Sequence, residues 1–492
     1  MAVGLRQRVV RDAGLLVSRS VFGRVIGYPV SILVARALGP EAFGLLQLVN
    51  VIPGLAKYGG LGYGAVAVRE ISHLRGVGRA EDEPAVRNVS FTADIIWSLM
   101  LALAVVGASF FFERAEVRWG IRIAAVSLFI RQLSRLYVVN IRLARRFPLL
   151  ARVQVIGEIA SAAAIVATVY FWGILGVLAA GVASGALMAL LFQRSIGLGF
   201  RPAFNRRELV RQTRIAVPLA LGTLSYGAFG WAERGLVGAL FGLSGLGVYM
   251  LTVMVIQTGL VVVNSFLQVA TVDLYERLGA KEGGGKLGGM VSLPTALFAY
   301  VFPLAGALAV FIGPPLVRLM LPAYTDVIPL LPWLAAILWV RAVPSMHLAS
   351  MNSARLNQQR RLLAFWLVTT GVFVAGTWAL SALGVGLQGA MAAKLTAVSV
   401  LGVLAFASTR SHLTGSARQL GAQLASYALP LAWGLAAGAA AWQIGTDTWL
   451  EATLSLGLFS ALYAPLLYWW ASRAGLLSLA RQLLLRRTAA TP

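Results

Sequence analysis

The chain contains no cysteine and only three histidines, His73, His347 and His412. Disulfide bonds, thiolate chemistry and cysteine-based metal sites are therefore excluded. The histidines are too far apart in the sequence to form a metal-ligand motif. The sequence also lacks a phosphate-binding P-loop and the Gly-x-Ser-x-Gly motif of serine hydrolases. These absences argue against an ATPase, a glycosyltransferase and a polymerase, so we expect neither an enzyme nor a cofactor or metal.

Charged residues are scarce as well, and acidic residues are the scarcest. The chain has 18 Asp and Glu against 42 Lys and Arg, which gives a formal net charge of +24 at pH 7. Nucleic-acid binding would require these bases on one face of a soluble module. A chain of 492 residues that is 59% hydrophobic is instead typical of a polytopic membrane protein. We therefore expect membrane lipids as neighbours and no nucleic-acid partner.

Long apolar runs recur along the whole chain. About 20 residues of α-helix cross a hydrocarbon core of about 30 Å. The runs predict an all-α polytopic membrane protein with about 14 transmembrane helices. The predicted spans are 15–37, 43–66, 88–112, 121–141, 151–171, 174–193, 215–239, 244–268, 290–313, 327–347, 362–382, 387–408, 424–443 and 451–471. Pro53 and Pro344 interrupt the second and tenth spans, and arginines interrupt the fourth.

Lys and Arg are distributed unevenly between the two sides that this topology defines. Loops on the side of the N-terminus carry most of them, whereas the opposite side carries only Arg114, Arg118, Arg122 and Arg318. Cytoplasmic loops of membrane proteins are enriched in Lys and Arg. The pattern therefore predicts a multi-pass membrane protein with both termini in the cytoplasm.

One helical hairpin pattern occurs twice, 203 positions apart. Val34, Gly39, Gly44 and Leu48 correspond to Val237, Gly242, Gly247 and Leu251. The offset carries spans 1 and 2 onto spans 7 and 8, which predicts two six-helix lobes related by a parallel pseudo-two-fold axis. Repeats of this kind are a transporter architecture with the substrate site between the halves. The predicted divisions are 1–214 (N-lobe), 215–410 (C-lobe) and 411–492 (two extra spans and a basic cytoplasmic tail).

The predicted spans contain more bases than acids. The bases are Arg19, Arg24, Arg36, Lys57, Arg131, Arg135, Arg234, Arg341 and Lys394, and the acids are Asp94, Glu158 and Glu233. Even if every acid pairs with a base, about six cations remain, and an unpaired charge inside the membrane is strongly unfavourable. We therefore expect a hydrated, positively charged cavity that receives an anion.

Six of these bases are the candidate substrate-binding residues. They are Arg24, Lys57, Arg131, Arg135, Arg234 and Arg341. Arg131 and Arg135 are four residues apart and share one helical face, where two guanidinium groups match the oxygens of a phosphate or diphosphate. The alternative is that these two arginines pair with Asp94 or Glu158, or bond backbone carbonyls.

The three acids within the spans also have two interpretations. Asp94, Glu158 and Glu233 are candidates for binding a coupling proton or sodium ion, and they are equally candidates for counter-ions of cavity arginines. Glu233 and Arg234 are adjacent, so their side chains point in different directions from a helix. We expect these two residues to have separate partners.

Several segments of the chain resemble a known family. GRVIG at 23–27, ARALGPEAFGLLQLV at 35–49 and GLGYGAVAVREI at 60–71 are similar to the opening of the multidrug/oligosaccharidyl-lipid/polysaccharide (MOP) exporter superfamily, especially its polysaccharide-biosynthesis branch of O-antigen-type lipid-linked oligosaccharide flippases. Residues 215–251 resemble the seventh and eighth spans of that family. The resemblance covers roughly the first 280 residues well.

The resemblance implies a two-lobed bundle that alternates between inward- and outward-open states. Its substrate would be a polyprenyl-diphosphate-linked oligosaccharide that moves from the inner to the outer leaflet, driven by a proton or sodium gradient or by the membrane potential. Glycan-assembly enzymes would be its neighbours. Three alternatives stay open: a lipid II-type peptidoglycan-precursor flippase, a multidrug or small-molecule antiporter on the same scaffold, and a membrane scaffold or glycosyltransferase of a glycan-synthesis complex.

Overall fold

The chain consists of α-helices throughout its described part. The computed structural model describes residues 2–56, 60–76, 79–144, 146–196, 199–279, 284–351, 358–413 and 417–474. Within them, helices account for nearly every residue, so the all-α prediction is confirmed. The chain divides into two compact units, residues 1–250 and 251–492.

Within its described residues, the first unit holds six helices and the beginning of a seventh. They are α1 (Ala2–Val49), α2 (Val51–Gly54), α3 (Tyr63–Gly76), α4 (Glu83–Ala108), α5 (Ala115–Leu143), α6 (Phe147–Ser195) and the first part of α7 (Arg206–Gly279). Short 3₁₀ turns, Ala80–Asp82 and Ser109–Phe111, flank α4.

The second unit holds the remainder of α7 and the C-terminal helices. They are α8 (Gly284–Met320), α9 (Leu331–Ala342), α10 (Ser345–Met351), α11 (Gln359–Ala382), α12 (Gly386–Leu413), α13 (Ala417–Trp442) and α14 (Trp449–Arg473). A 3₁₀ segment, Pro322–Leu330, joins α8 to α9.

Ten helical segments of the described chain are long and apolar enough to cross a membrane. The 49 residues of α6 would reach about 70 Å as a straight helix, more than twice a hydrocarbon core of about 30 Å. The helix is instead broken at Gly173, which has φ 51°. The expectation of a multi-pass membrane protein is confirmed, whereas the number of fourteen spans, the six-helix repeat and the divisions at 214 and 410 stay predictions.

The helices α1 and α7 are broken in the same way at corresponding positions. Gly39 has φ 73° and ψ 173°, and Gly242 has φ 71° and ψ 179°. Positive φ values are readily adopted by glycine and disfavoured for other residues. Because these two positions are 203 residues apart, the hairpin similarity in the sequence corresponds to a shared backbone conformation.

The segments that follow the two breaks pack closely against each other. A Cβ atom at Gly44 would overlap the backbone oxygen of Leu243, and one at Gly247 would overlap the backbone oxygen of Pro40. The two contacts are reciprocal, since Leu243 and Gly247 lie 203 positions after Pro40 and Gly44. Backbone meets backbone here, so a side chain has no room at either glycine.

Two predicted spans are not single α-helices. The predicted span 43–66 is interrupted between α2 and α3, where Leu61 has φ 45° and Gly62 has φ 84°. The predicted span 327–347 begins in the 3₁₀ segment and is divided at Pro344 into α9 and α10. Proline and a residue with positive φ each interrupt the regular backbone hydrogen bonds of a helix. The apolar runs alone therefore predicted longer continuous helices than the structure has.

Candidate functional site

A polar cavity of about 370 Å³ lies inside the first unit, between α3, α4, α5 and the start of α7. One wall is made of glycines from the turn before α3 and its first residues: Gly60, Gly62 and Gly64. Charged and amide side chains of α4 and α5 also line it: Asp94, Gln132, Arg135 and Arg142. We call this space the polar cavity.

Asp94 connects three walls of the polar cavity. Its side chain is buried, with 2% of its surface exposed. The carboxylate accepts a hydrogen bond from the backbone N–H of Gly64, 3.2 Å from Oδ2, and another on Oδ1 from the side-chain amide of Gln132. A Cβ atom at Gly60 would overlap the same carboxylate. The glycine-rich turn therefore closes directly over Asp94, and no larger residue fits at position 60.

Three arginines form a stripe on α5. Arg131, Arg135 and Arg142 lie within about 40° of one another around the helix axis, at 100° per residue. Arg131 and Arg135 are both exposed. Arg131 Nε donates to Ser127 Oγ at 3.3 Å, and Arg135 Nη1 donates to the backbone oxygen of Ala56 at 3.5 Å. The expected sharing of one helical face is confirmed, and the alternative of a bond to a backbone carbonyl holds for Arg135.

The rest of α5 explains how a charged helix is held within the unit. It is 29 residues long, enough to cross a bilayer at 1.5 Å per residue, although its arginines keep it out of the ten apolar segments. Leu128, Leu136 and Val139 lie on an adjacent face and are buried. They pack against residues of neighbouring helices in two apolar clusters. Burial of this face fixes the orientation in which α5 presents its arginines.

The other acids predicted in the first unit lie apart from the polar cavity's lining. Glu158, on α6, packs against α1, where a Cβ atom at Gly23 would overlap its carboxylate. Glu233 is buried and accepts a hydrogen bond from the hydroxyl of Tyr249 at 2.6 Å. Arg234 Nη1 donates to the backbone oxygen of Gly230 at 3.1 Å. The bonds of Glu233 and Arg234 thus go to different groups, as expected.

The remaining predicted residues are distributed over other parts of the chain. The side chain of Arg24 and the whole of Lys57 lie outside the described residues. Arg341 belongs to the second unit, where its guanidinium carbon lies 5.3 Å from the centre of the Trp366 ring. Lys394, on α12, is 5% exposed. Of the predicted site residues, the polar cavity brings together Asp94 and Arg135.

A polar network joins the start of α7 to α3 and α4. Arg211 bonds Glu70 at 2.6 Å and Glu208 at 2.7 Å. The hydroxyl of Ser90 donates to Gln212 at 2.8 Å. The hydrogen bond from Arg211 lowers the pKa of Glu208. Hydrogen bonds to Glu208 and Glu70 in turn raise the pKa of Arg211. These bonds hold the beginning of α7 beside the polar cavity, which Ala220 of α7 also lines.

Comparison with known proteins identifies the family. A family model described as polysaccharide biosynthesis protein matches residues 9–272, more than half of the chain. The chain belongs to this family. The match includes every residue that lines the polar cavity. A search of curated proteins found no match.

Solved structures similar to this family member are transporters of the MOP superfamily. One is the inward-facing conformation of a multidrug resistance MATE family transporter (TM-score 0.60, 16% identity, 83% of this chain and 94% of that chain). Its outward-facing counterpart gives a TM-score of 0.58 at 16% identity, over 84% and 96%. A MOP transporter from Pyrococcus furiosus Vc1 gives 0.56 at 16% identity, over 84% and 96%. At these identities the likeness shows the fold, and with the family match it confirms a MOP exporter of the polysaccharide-synthesis branch.

Two polar side chains of the polar cavity, those of Gln132 and Arg142, were absent from the predicted site residues. Gln132 is an uncharged residue between two arginines, and nothing in its local sequence indicates a bond to Asp94, 38 positions earlier. Arg142 falls in a loop of the predicted topology, but α5 continues to Leu143 and Arg142 lines the cavity. Its spacing of seven residues from Arg135 is the signal that would have placed both on one helical face.

Proposed function

We propose that the protein moves a polyprenyl-diphosphate-linked oligosaccharide from the inner to the outer leaflet of a bacterial cytoplasmic membrane by alternating access. The observation that carries the proposal is the arginine stripe of α5, which reaches from the exposed Arg131 to Arg135 and Arg142 in the polar cavity. Guanidinium groups bind diphosphate oxygens through charge-assisted, often bidentate hydrogen bonds. The lipid chain would stay in the bilayer while the diphosphate engages Arg131 and Arg135 of the stripe.

The proposal includes the topology and energy source expected from the sequence. Both termini lie in the cytoplasm, no cofactor takes part, and a proton gradient, a sodium gradient or the membrane potential drives the cycle. Asp94, Glu158 and Glu233 are the candidate coupling groups. Arg24, Lys57, Arg234 and Arg341 remain candidate substrate contacts, and glycan-assembly enzymes are candidate partners.

A multidrug antiporter is the second candidate, because the structural neighbours include multidrug MATE transporters. A cationic drug would favour acidic groups at its binding site. The polar cavity instead carries two arginines and one aspartate. For the transporter from Pyrococcus furiosus Vc1, the reverse polarity of its binding pocket suggests a different function. In this chain the surplus of arginine over aspartate in the cavity supports a substrate that carries an anionic group.

The proposal is tested by transport of a fluorescent polyprenyl-diphosphate oligosaccharide in liposomes that contain the purified protein. We expect Arg131→Ala and Arg135→Ala each to lower the initial rate about 10- to 100-fold, since each removes a charge-assisted hydrogen bond to the diphosphate. Arg118→Ala is the matched control, because Arg118 lies on the same helix but, at 100° per residue, outside the arginine stripe. It should transport like the wild type.

Two further results distinguish the candidates. Lipid II in the same assay measures how far the protein accepts a peptidoglycan precursor. If organic cations were transported while the diphosphate lipids were not, the multidrug assignment would replace this one. Wild-type rates in both arginine variants would also overturn the proposal.

A further inference from the structure

Gln132 has a buried hydrogen-bond acceptor without a partner in the described structure. Its side chain is 3% exposed and lines the polar cavity. Its amide nitrogen donates to Asp94, whereas no group among the described residues bonds Oε1. The amide nitrogen, which only donates hydrogen bonds, faces Asp94 Oδ1, and this contact sets the orientation of the amide. The oxygen is therefore directed away from Asp94 and available to a donor.

The polar cavity offers acceptors and donors together. Gln132 Oε1 and the remaining lone pairs of the Asp94 carboxylate accept, while the guanidinium groups of Arg135 and Arg142 donate. A free phosphate has few protons to give, so it would leave the Gln132 oxygen unsatisfied and approach the negative Asp94. A metal cation would approach the two arginines. A ligand that satisfies this set must carry donors and acceptors on one small, neutral body.

A sugar ring has these properties, since each hydroxyl both donates and accepts a hydrogen bond. The wall formed by Gly60, Gly62 and Gly64 presents backbone and no side chains to the cavity, and the φ of 84° at Gly62 favours glycine there. A wall without side chains lets a ring approach the backbone closely. A cavity of about 370 Å³ lies within the lower range of small-ligand sites.

We propose that the polar cavity binds the first sugar of the glycan, the ring attached directly to the diphosphate. This inference rests on the proposed function, because it takes Arg131 and Arg135 as the contacts of the diphosphate. Gln132 accepts a hydrogen bond from a ring hydroxyl or an N-acetyl N–H, and Asp94 accepts from a second hydroxyl. Arg142 donates to ring oxygens. Gln132 thereby determines specificity for a glycosylated lipid over a bare one.

The test compares two ligands on the purified full-length protein in lipid nanodiscs. One is polyprenyl diphosphate, and the other is the same lipid carrying a single N-acetylhexosamine. We expect the wild type to bind the glycosylated lipid more tightly. Gln132→Leu should weaken that binding about 10-fold and leave the affinity for the bare diphosphate unchanged, because only a sugar contact is lost. Arg135→Ala should weaken both.

Gln154→Leu is the matched control. Gln154 also has a buried side-chain oxygen without a partner among the described residues, and it is not part of the polar cavity's lining. The same chemical change there should leave both affinities as in the wild type. A thermal melt of each variant shows whether it remains folded. If Gln132→Leu does not fold, Gln132→Glu takes its place as the variant in the same comparison of the two lipids. The preference of the wild type for the glycosylated lipid is then the second measurement.

The outcomes separate this inference from the proposed function. If the wild type bound neither lipid, the flippase proposal would fail. If it bound both with equal affinity, only the sugar site would be overturned. Equal weakening of both lipids in Gln132→Leu would contradict the sugar site too, and a change that depends on sodium concentration would assign the cavity to a cation instead.

Discussion

The cavities of the two units differ in chemistry. The polar cavity of the first unit is lined by an acid, an amide and two arginines against a glycine wall. A pocket of about 270 Å³ in the second unit, between α8, α9, α13 and α14, is lined by apolar residues, among them Phe311, Trp339, Trp442 and Phe459. We call it the apolar pocket.

The difference between the two cavities shows that the charged cavity lies in the part of the chain that matches the family. The polar cavity lies entirely within the residues that match the polysaccharide-biosynthesis family, and the apolar pocket lies entirely outside them. Polar side chains buried at such depth are stabilised only if each finds partners. The network around Asp94 supplies partners for its carboxylate and for the amide nitrogen of Gln132 in the first unit, whereas the apolar pocket requires none.

The largest expected effect comes from placing a charge in the apolar pocket. Ala335→Arg would bury a guanidinium where the lining offers no acidic partner, at a cost of at least about 2.5–3.5 kcal/mol. We expect a strong loss of folded protein, measured as the yield of monodisperse material and its melting temperature. Leu383→Arg, at a position that is 77% exposed, should have little effect. Equal yields for both variants would remove the distinction between the two cavities.

Removal of the Asp94 carboxylate tests the polar cavity itself. Asp94→Ala leaves the Gly64 N–H and the Gln132 amide without their acceptor, which should destabilise the protein by roughly 1–3 kcal/mol. Asp94→Asn keeps one acceptor oxygen and should lose less. Thermal unfolding in detergent measures both. Unchanged stability in Asp94→Ala would show that these bonds do not hold the cavity together.

A smaller effect is expected from one methyl group in the apolar pocket. At Gly306 a Cβ atom would lie 2.9 Å from Cβ of Ala335, whereas at Gly438 nothing lies within 4 Å. Gly306→Ala should therefore destabilise by about 1–3 kcal/mol through overpacking. Gly438→Ala should leave stability unchanged or raise it by up to about 1 kcal/mol, because alanine has the higher helix propensity. If Gly306→Ala and Gly438→Ala had the same melting temperature, the apolar pocket would be loosely packed around Gly306.

The smallest effect concerns the network at the start of α7. Arg211 lowers the pKa of Glu208, so this pair stabilises the folded protein above the ordinary pKa of glutamate, and the contribution is lost as the pH falls through the lowered value. For an exposed pair we expect less than about 1 kcal/mol. Unfolding of the wild type and Glu208→Gln should converge at acidic pH. A difference that grows on acidification would contradict the sign.

The sequence was most informative where one residue type permits one conformation. The breaks at Gly39 and Gly242 followed from a repeated pattern, because a left-handed backbone favours glycine wherever it occurs. The shared helical face of Arg131 and Arg135 followed from helical spacing alone. Both inferences depend on interactions within a few residues of the chain.

The residues that the sequence did not reveal depend on contacts between distant segments. Gln132 gains its role from Asp94 on another helix, and the role of Gly60 comes from the same carboxylate. Arg142 was assigned to a loop, since the end of a helix is not fixed by hydropathy when charges and apolar residues alternate. These features required the packing of α3, α4 and α5 to be known.

The most direct test of the central claim uses the absence of native cysteines. Ala65 is exposed and lines the polar cavity, so Ala65→Cys introduces a single reactive thiol there. A water-soluble maleimide should label it, and polyprenyl diphosphate carrying an N-acetylhexosamine should protect it, while Ala108→Cys at the exposed end of α4 is labelled equally with and without the lipid. Labelling of Ala65→Cys that the glycosylated lipid does not change would contradict a substrate-binding role for this cavity.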